Sequence, residues 1–362
     1  MLKRILPQRF LDMDAYRICL IKPSALGDVV QSLPLLPVLC ERFPNARISW
    51  VINREFATLL ERHPHLDDII PFDRRGSWIS WFRLRNELRQ RRFDLAIDLQ
   101  GLLRTGLMTA ATNAAVRIGL ETAREGAHLA CHYTIPNTGR QVSAHQRYQR
   151  VAQAFGVDDI PLQTLIATSR KDREWTELQL AKLRRPVLAI HPGARWITKR
   201  WPVQKFADVA KNAIRSYGAS VVLVGSQSEL SDSMKLQDLL KRDDPTETLR
   251  NLTGQTTLKQ LASLLGQCDV LLTNDSGPMH LAAGLGTPVL GVFTCTSPIL
   301  SGPIGGQHEL VATDVCCAAS YKKYCPHQGV HHLACMQQLS IDRVCSALQR
   351  LLEKNRAATR LA

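Results

Sequence analysis

No apolar run in these 362 residues approaches the length of a membrane-spanning helix, and the longest are cut by Pro34 and Pro37. Aromatic residues are scarce at 6% and no known nucleic-acid-binding motif is present, which argues against a nucleic-acid reader. Gly-x-Gly-x-x-Gly is missing, which weakens a nicotinamide dehydrogenase, and so is Gly-x-x-x-x-Gly-Lys-Ser/Thr, which nearly removes a P-loop enzyme. His-Glu-x-x-His and Gly-x-Ser-x-Gly are absent too, so a zinc peptidase and a serine hydrolase of the nucleophile-elbow type lose their signatures. There is no tandem repeat and no low-complexity tract.

Acidic residues are also few. Asp and Glu total 32 against 46 Lys and Arg, a net charge of +14. Such a surface suits a polyanionic partner: nucleic acid, an anionic membrane face or a phosphorylated substrate; plain solubility is the alternative. The hydrophobic fraction of 45% and charged fraction of 22% are those of a soluble globular protein long enough for two domains. Ten cysteines follow no secreted disulfide pattern, and Cys19, Cys40 and Cys268 fall in core-like segments, so a reducing cytoplasm fits best. The first ten residues are basic but lack an apolar core. They read as a disordered leader, or a segment lying on a membrane, more readily than as a signal peptide.

Along the chain, apolar runs alternate with helical patterns. Strands are expected at 16–21, 46–52, 68–72, 93–99 and 116–120, with helices from 28 towards Arg42 and over 55–62, 78–91, 107–115 and 145–155. Residues 158–170 look like connecting chain, and the break between the two series falls near 158–185. A second series begins at Pro186, with strands at 187–191, 220–224, 249–252, 270–272 and 289–293 and helices between them. Two such series predict an α/β chain of two Rossmann-like, doubly wound domains facing a central cleft, 1–175 and 176–340, followed by a helix in 341–362.

Open α/β sheets place ligands beyond the C-terminal ends of their strands, and three loops there carry chemistry. Lys22-Pro-Ser-Ala-Leu-Gly-Asp28 follows the first strand; Asp28 opens a helix, where a carboxylate is favoured for structural reasons alone. Lys22 is free to steer a phosphate or to hold Asp28 ionised, or to be simply a solvated lysine. His191-Pro-Gly-Ala-Arg-Trp-Ile-Thr-Lys199 follows the first strand of the second series, where Gly193 and Ala194 offer backbone N–H groups to an anion. Asn274-Asp-Ser-Gly-Pro-Met-His280 joins a buried strand to a short helix of small residues. Asp275 and Ser276 are N-cap chemistry, and the helix start holds anions, phosphate above all.

Taken together and in this order, the three stretches resemble the lipopolysaccharide heptosyltransferases of glycosyltransferase family 9, over about residues 17–352. The resemblance implies a GT-B fold whose N-terminal domain receives the acceptor and whose C-terminal domain holds ADP-L-glycero-D-manno-heptose. It implies inversion of the anomeric centre with no cofactor and no metal. Asp28 would be the general base and Lys199 the cation that offsets charge on the leaving ADP. Gly193, Ala194, Lys199, Asp275, Ser276, Gly277 and His280, with Met279 beside them, would line the donor site. Glu229, in the loop from Gly225, would hold ribose hydroxyls. Lys22, Gln100, Gly101 and Arg104 would face the acceptor, and the arginines of 83–92 would meet its acidic, phosphorylated core. The partners implied are ADP-heptose and a lipid A-linked core oligosaccharide carrying Kdo or heptose, met peripherally at the cytoplasmic face of the inner membrane; nucleic acid is not expected. The last helix would cross back to the first domain, as in many GT-B enzymes.

Transfer chemistry leaves one feature aside. Cys316, Cys317, Cys325 and Cys335, with His327, His331 and His332 nearby, are zinc ligand types without the paired Cys-x-x-Cys spacing, so reduced structural thiols rank ahead of a zinc site. The rival functions are a GT-B transferase using another nucleotide sugar for a different envelope glycan, a GT-B module without activity and, from another class, a basic nucleic-acid-binding protein.

Overall fold

Alternation of buried apolar runs with one-faced helices becomes strand–helix alternation throughout. The computed structural model describes residues 13–242 and 248–361. The expectation for the first ten residues lies outside the described residues. By contacts the chain divides into two units, Met1–Ala167 and Thr168–Ala362.

The first unit contains β1 (Arg17–Ile21), α1 (Leu26–Ser32), α2 (Leu35–Arg42), β2 (Arg47–Asn53), α3 (Arg54–Leu60), β3 (Asp68–Phe72), α4 (Trp78–Gln90), β4 (Leu95–Asp98), α5 (Leu103–Ala111), β5 (Val116–Leu120), β6 (Tyr133–Ile135) and α6 (Ala144–Ala154). Its sheet is parallel in the order β3-β2-β1-β4-β5-β6. Both faces are covered, so β1 and β4 are almost wholly buried and read as continuous apolar runs. The helix expected to run from 28 to Arg42 is two helices, because Pro34 lacks the N–H that an unbroken helix needs there. Strand β6 is short and lies at the edge, without a clear apolar alternation to announce it.

The second unit contains α7 (Arg170–Leu180), β7 (Val187–His191), α8 (Val203–Tyr217), β8 (Ser220–Leu223), α9 (Leu230–Lys241), β9 (Leu249–Asn251), α10 (Leu258–Leu265), β10 (Val270–Asn274), α11 (Gly277–Gly284), β11 (Val289–Phe293), α12 (Pro298–Ser301), β12 (Glu309–Ala312), α13 (Ala334–Gln338) and α14 (Ile341–Leu361). The sheet order β12-β11-β10-β7-β8-β9 repeats the topology of the first unit. In each sheet, the strand order reverses between the first and fourth strands of the unit: β1 and β4, then β7 and β10.

Residues 170–180, inside the expected break between the two series, form a helix. Ser169 caps α7 and Thr176 Oγ1 donates to Ser263 Oγ on α10 at 2.9 Å, which ties the helix to the second unit ahead of residue 175. Helix α14 lays Val344, Ala347, Leu348, Leu351 and Leu352 into the core built by α8, β10 and β11 of its own unit. Gly218, at φ +66, ends α8 in the left-handed conformation that glycine adopts without strain.

Candidate functional site

At the first unit's reversal point, the β1–α1 loop meets the β4–α5 loop. Asp28 is half-buried in the first turn of α1, and its Oδ2 accepts the Ala25 N–H at 3.1 Å. The helix-start role is therefore real. It occupies one oxygen and leaves the other. Lys22, buried at the end of β1, donates from Nζ to the Leu99 carbonyl at 3.2 Å. Burial works against its ammonium, yet Asp28, Tyr148 and Asp98 outweigh that and push its pKa up, so Lys22 is a fixed buried cation. It is not a solvated lysine.

Asp98 organises the facing loop. Its Oδ1 accepts from the Gln100 and Gly101 N–H groups, both at 2.9 Å, and its Oδ2 accepts from Thr105 Oγ1 at 2.9 Å. Burial pushes its carboxyl up, against those donors and Lys22, which favour the anion. Gly101 sits at φ +67, and a Cβ there would lie 2.7 Å from Ala123 Cα, so only glycine lets this loop close. The Gln100 Oε1 accepts from Ser24 N at 3.4 Å, linking the two loops. The Arg104 guanidinium stands 5.6 Å from the Phe72 ring centroid.

The second unit's reversal point gathers the other residues. Lys199 Nζ and Asp275 Oδ2 form a 2.6 Å ion pair, with side chains 18% and 7% exposed, so the cation is held in place while part of it stays open. Asn274, fully buried, donates from Nδ2 to the Pro192 carbonyl at 2.7 Å and accepts the Trp201 N–H at 3.1 Å, stapling the whole 192–201 loop to β10. Ser276 precedes α11 in extended backbone but makes no side-chain cap bond. Its Oγ instead lies 3.0 Å from Thr273 Oγ1 and 3.2 Å from His191 Nδ1. With Asp275 turned to Lys199, neither of the two expected caps serves the helix. The start of α11 at Gly277 is left without a side-chain cap from Ser276. His280 and Met279 are buried within that helix.

The opposite ring nitrogen of His191, Nε2, lies 3.3 Å from Glu229 Oε1. Glu229 also accepts from Ser226 N and Oγ, each at 2.8 Å. Burial opposes its anion, but the hydrogen bond and charge of His191 and the two Ser226 donors pull its pKa down to about 2. A Cβ on Gly193 would collide with this carboxylate, so Gly193 must be glycine for Glu229 to reach the β7 end. Ala194 is buried and its carbonyl accepts from Arg200 Nε at 2.7 Å, which turns Arg200 away and leaves Lys199 as the cation paired with Asp275. Thr253, beside Gly225, has a buried hydroxyl without a partner among the described residues.

The sequence reading missed Asp98, Tyr148, Asn274 and the ring of Trp196. Lys199 Nζ lies 4.8 Å from the centroid of that ring and Lys323 Nζ 5.9 Å. The stretch around Lys322 is pinned there because Thr198 Oγ1 donates to the Lys322 carbonyl at 2.7 Å. A carboxylate or amide ending a fully apolar strand was the available signal for Asp98 and Asn274; nothing local marks the others. The zinc alternative finds no ligand set: among the described residues, no group of three or more His, Cys, Asp or Glu is placed to hold a metal ion. Cys316 is exposed, Cys335 is buried, and Cys325 Sγ accepts the Leu333 N–H at 3.3 Å. Burial, with Cys317, Cys295 and Cys325 nearby, pushes the Cys335 thiol up and keeps it protonated.

The model of glycosyltransferase family 9 (heptosyltransferase) matches residues 81–331, well over half of the chain. The chain belongs to this family. It is a glycosyltransferase. Among its relatives, lipopolysaccharide heptosyltransferase 1 of Pseudomonas aeruginosa is 28% identical over 360 residues, covering 93% of this chain and 98% of that one. The lipopolysaccharide core heptosyltransferase OpsX of Haemophilus influenzae is 27% identical over 301 residues, covering 82% and 84%. Among solved structures, the ADP-heptose LPS heptosyltransferase II of Escherichia coli superposes with a TM-score of 0.75 at 25% identity, covering 94% of this chain and 99% of that one. The two six-stranded parallel sheets are those of the GT-B fold.

Proposed function

We propose that this family 9 chain moves L-glycero-D-manno-heptose from ADP-heptose to the inner core of lipopolysaccharide, onto a lipid A-linked Kdo or heptose. The names of the relatives support the donor and acceptor. The observation that carries the reading in this chain is the second unit's reversal point, where a held cation, Lys199, stands with an uncapped helix start. That pairing suits a diphosphate. Lys199 offsets the charge that grows on departing ADP, and the N–H groups at the start of α11, those of Gly277 and Met279 with Pro278 having none, receive phosphate oxygens. Asp275 and Ser276 position these parts, and Glu229, anionic at any physiological pH, accepts from ribose hydroxyls beside Thr253. The first unit supplies the acceptor side. Asp28 takes the proton of the attacking hydroxyl, Lys22 sets a buried positive charge near it, and Gln100, Gly101 and Arg104 face the acceptor. Direct displacement with one base inverts the anomeric centre, and a lysine and helix dipole take the place a metal would have at the diphosphate.

No helix among the described residues is long and apolar enough to cross a membrane, and all ten cysteines are free. The net charge of +14 and the glycolipid acceptor are what support peripheral work at the cytoplasmic face of the inner membrane. The test is calorimetric binding of ADP-heptose beside UDP- and GDP-sugars, repeated on Lys199→Ala. The expected result is selective ADP-heptose binding that Lys199→Ala weakens about tenfold to a hundredfold. Preference for another base or sugar would replace the substrate, and unaltered binding by Lys199→Ala would remove that residue from the site.

A further inference from the structure

Helix α4 turns both apolar and basic side chains to solvent. Leu84 and Leu88 face the core, and its first turn turns three large apolar side chains outward: Trp78 is 72% exposed, Ile79 46% and Phe82 49%. The Trp78 and Phe82 rings meet edge to face at 5.8 Å, so they form one apolar knob rather than separate residues. The adjoining α5 adds Leu103 and Leu107, each about half exposed, and Leu129 lies exposed on the turn packed against α5. Between α4 and α5 runs a groove of about 460 Å³ lined by Trp81, Leu103, Arg104, Leu107 and Glu125. Scattered single apolar residues would need no explanation, but a paired Trp78 and Phe82 with Ile79 next in the chain does.

Around this patch stand exposed cations: Arg74 and Arg75 just before the helix, then Arg83, Arg85 and Arg89 along it. Among the described residues, the carboxylate of α4, Glu87, is already paired with Arg91, and Glu125 lies beside Arg124. The patch is therefore apolar at its centre and net positive at its rim. A second copy of the chain would bring the same cations against themselves. A nucleic acid would gain little from Ile79, Leu103, Leu107 and Leu129, which neither hydrogen-bond nor stack. A lipid surface carrying negative head groups satisfies both halves: aromatic and aliphatic side chains enter the head-group boundary while arginines meet phosphate.

We propose that the exposed face of α4, with Trp78, Ile79 and Phe82 at its tip, docks this enzyme onto an anionic bilayer. The inference deepens the glycolipid reading given above and rests on it. An acceptor whose lipid stays in the membrane is then met by a unit already seated there. The arginines take the head-group charge, and the α4–α5 groove lies open to the same lipid phase.

Vesicle flotation with the full chain tests this, using phosphatidylcholine vesicles with and without phosphatidylglycerol. Wild type is expected to float with the anionic vesicles, and added salt to release it. Trp78→Ser/Phe82→Ser lowers the bound fraction about tenfold or more, and Arg74→Gln/Arg75→Gln lowers it on anionic vesicles. All four side chains are exposed, and Trp78→Ser/Phe82→Ser should keep wild-type turnover on a de-lipidated core acceptor. Vesicle binding by Trp78→Ser/Phe82→Ser equal to wild type would overturn the proposal, as would wild type failing to float. A wild-type dimer in solution that Trp78→Ser/Phe82→Ser dissociates, with no flotation, would overturn it in favour of a second copy. The vesicle arms need no donor, so absent turnover in wild type counts against the transferase reading alone.

Discussion

Glu229 shows how a single residue is set for its role. Its carboxylate carries three hydrogen-bonding contacts, from His191 and from the backbone and side chain of Ser226, and these hold the pKa at about 2 against the ordinary 4.5. A depressed carboxylate stabilises the fold above its unfolded pKa and loses that contribution as pH falls towards its folded one. Wild type should therefore exceed Glu229→Gln by on the order of 2 kcal/mol at neutral pH. The gap should narrow from about pH 5 downward and close near pH 2. Denaturant unfolding across that range checks it; a gap that widens on acidification would contradict the assigned cause. Lys22 is the opposite case, a buried cation kept charged by Asp28, Tyr148 and Asp98.

At the scale of elements, the loops after β7 and β10 act as one piece because Asn274 joins them. Replacing it by alanine leaves the Trp201 N–H and the Pro192 carbonyl without partners in a buried place. Asn274→Ala is expected to cost about 2–3 kcal/mol and to weaken ADP binding although it touches no phosphate. Thermal unfolding with ADP calorimetry on the same preparation would show this, and unchanged ADP affinity would detach the staple from the site. Here the limits of reading from sequence are visible. Lys199, Asp275 and Gly277 were legible because turn chemistry is local and interrupts apolar strands. Asn274 stood in full view but its partners lie 73 to 82 residues away, and pairing across a sheet is not written locally. The same holds for Lys323 over Trp196. Helix α7 escaped because its sequence is charged all round with Thr176 its one buried residue, although Ser169 and Asp172 form the capping box that announces it.

For the whole molecule, one topology used twice accounts for where the chemistry lies. Each sheet reverses its strand order between its first and fourth strands, and the residues proposed as base and diphosphate cation sit at those two reversals. The strand pattern and the two series were legible from hydrophobic periodicity; the short edge strands β6 and β12 were not, since three or four residues carry too little pattern. The central claim is that Asp28 is the base. Asparagine at 28 can still accept the Ala25 N–H, so the helix start survives the change. The decisive measurement is single-turnover transfer from ADP-heptose by Asp28→Asn, with donor binding measured alongside. A loss of about 10²–10⁴-fold in transfer is expected, with donor affinity little changed. Transfer within a few-fold of wild type would contradict it.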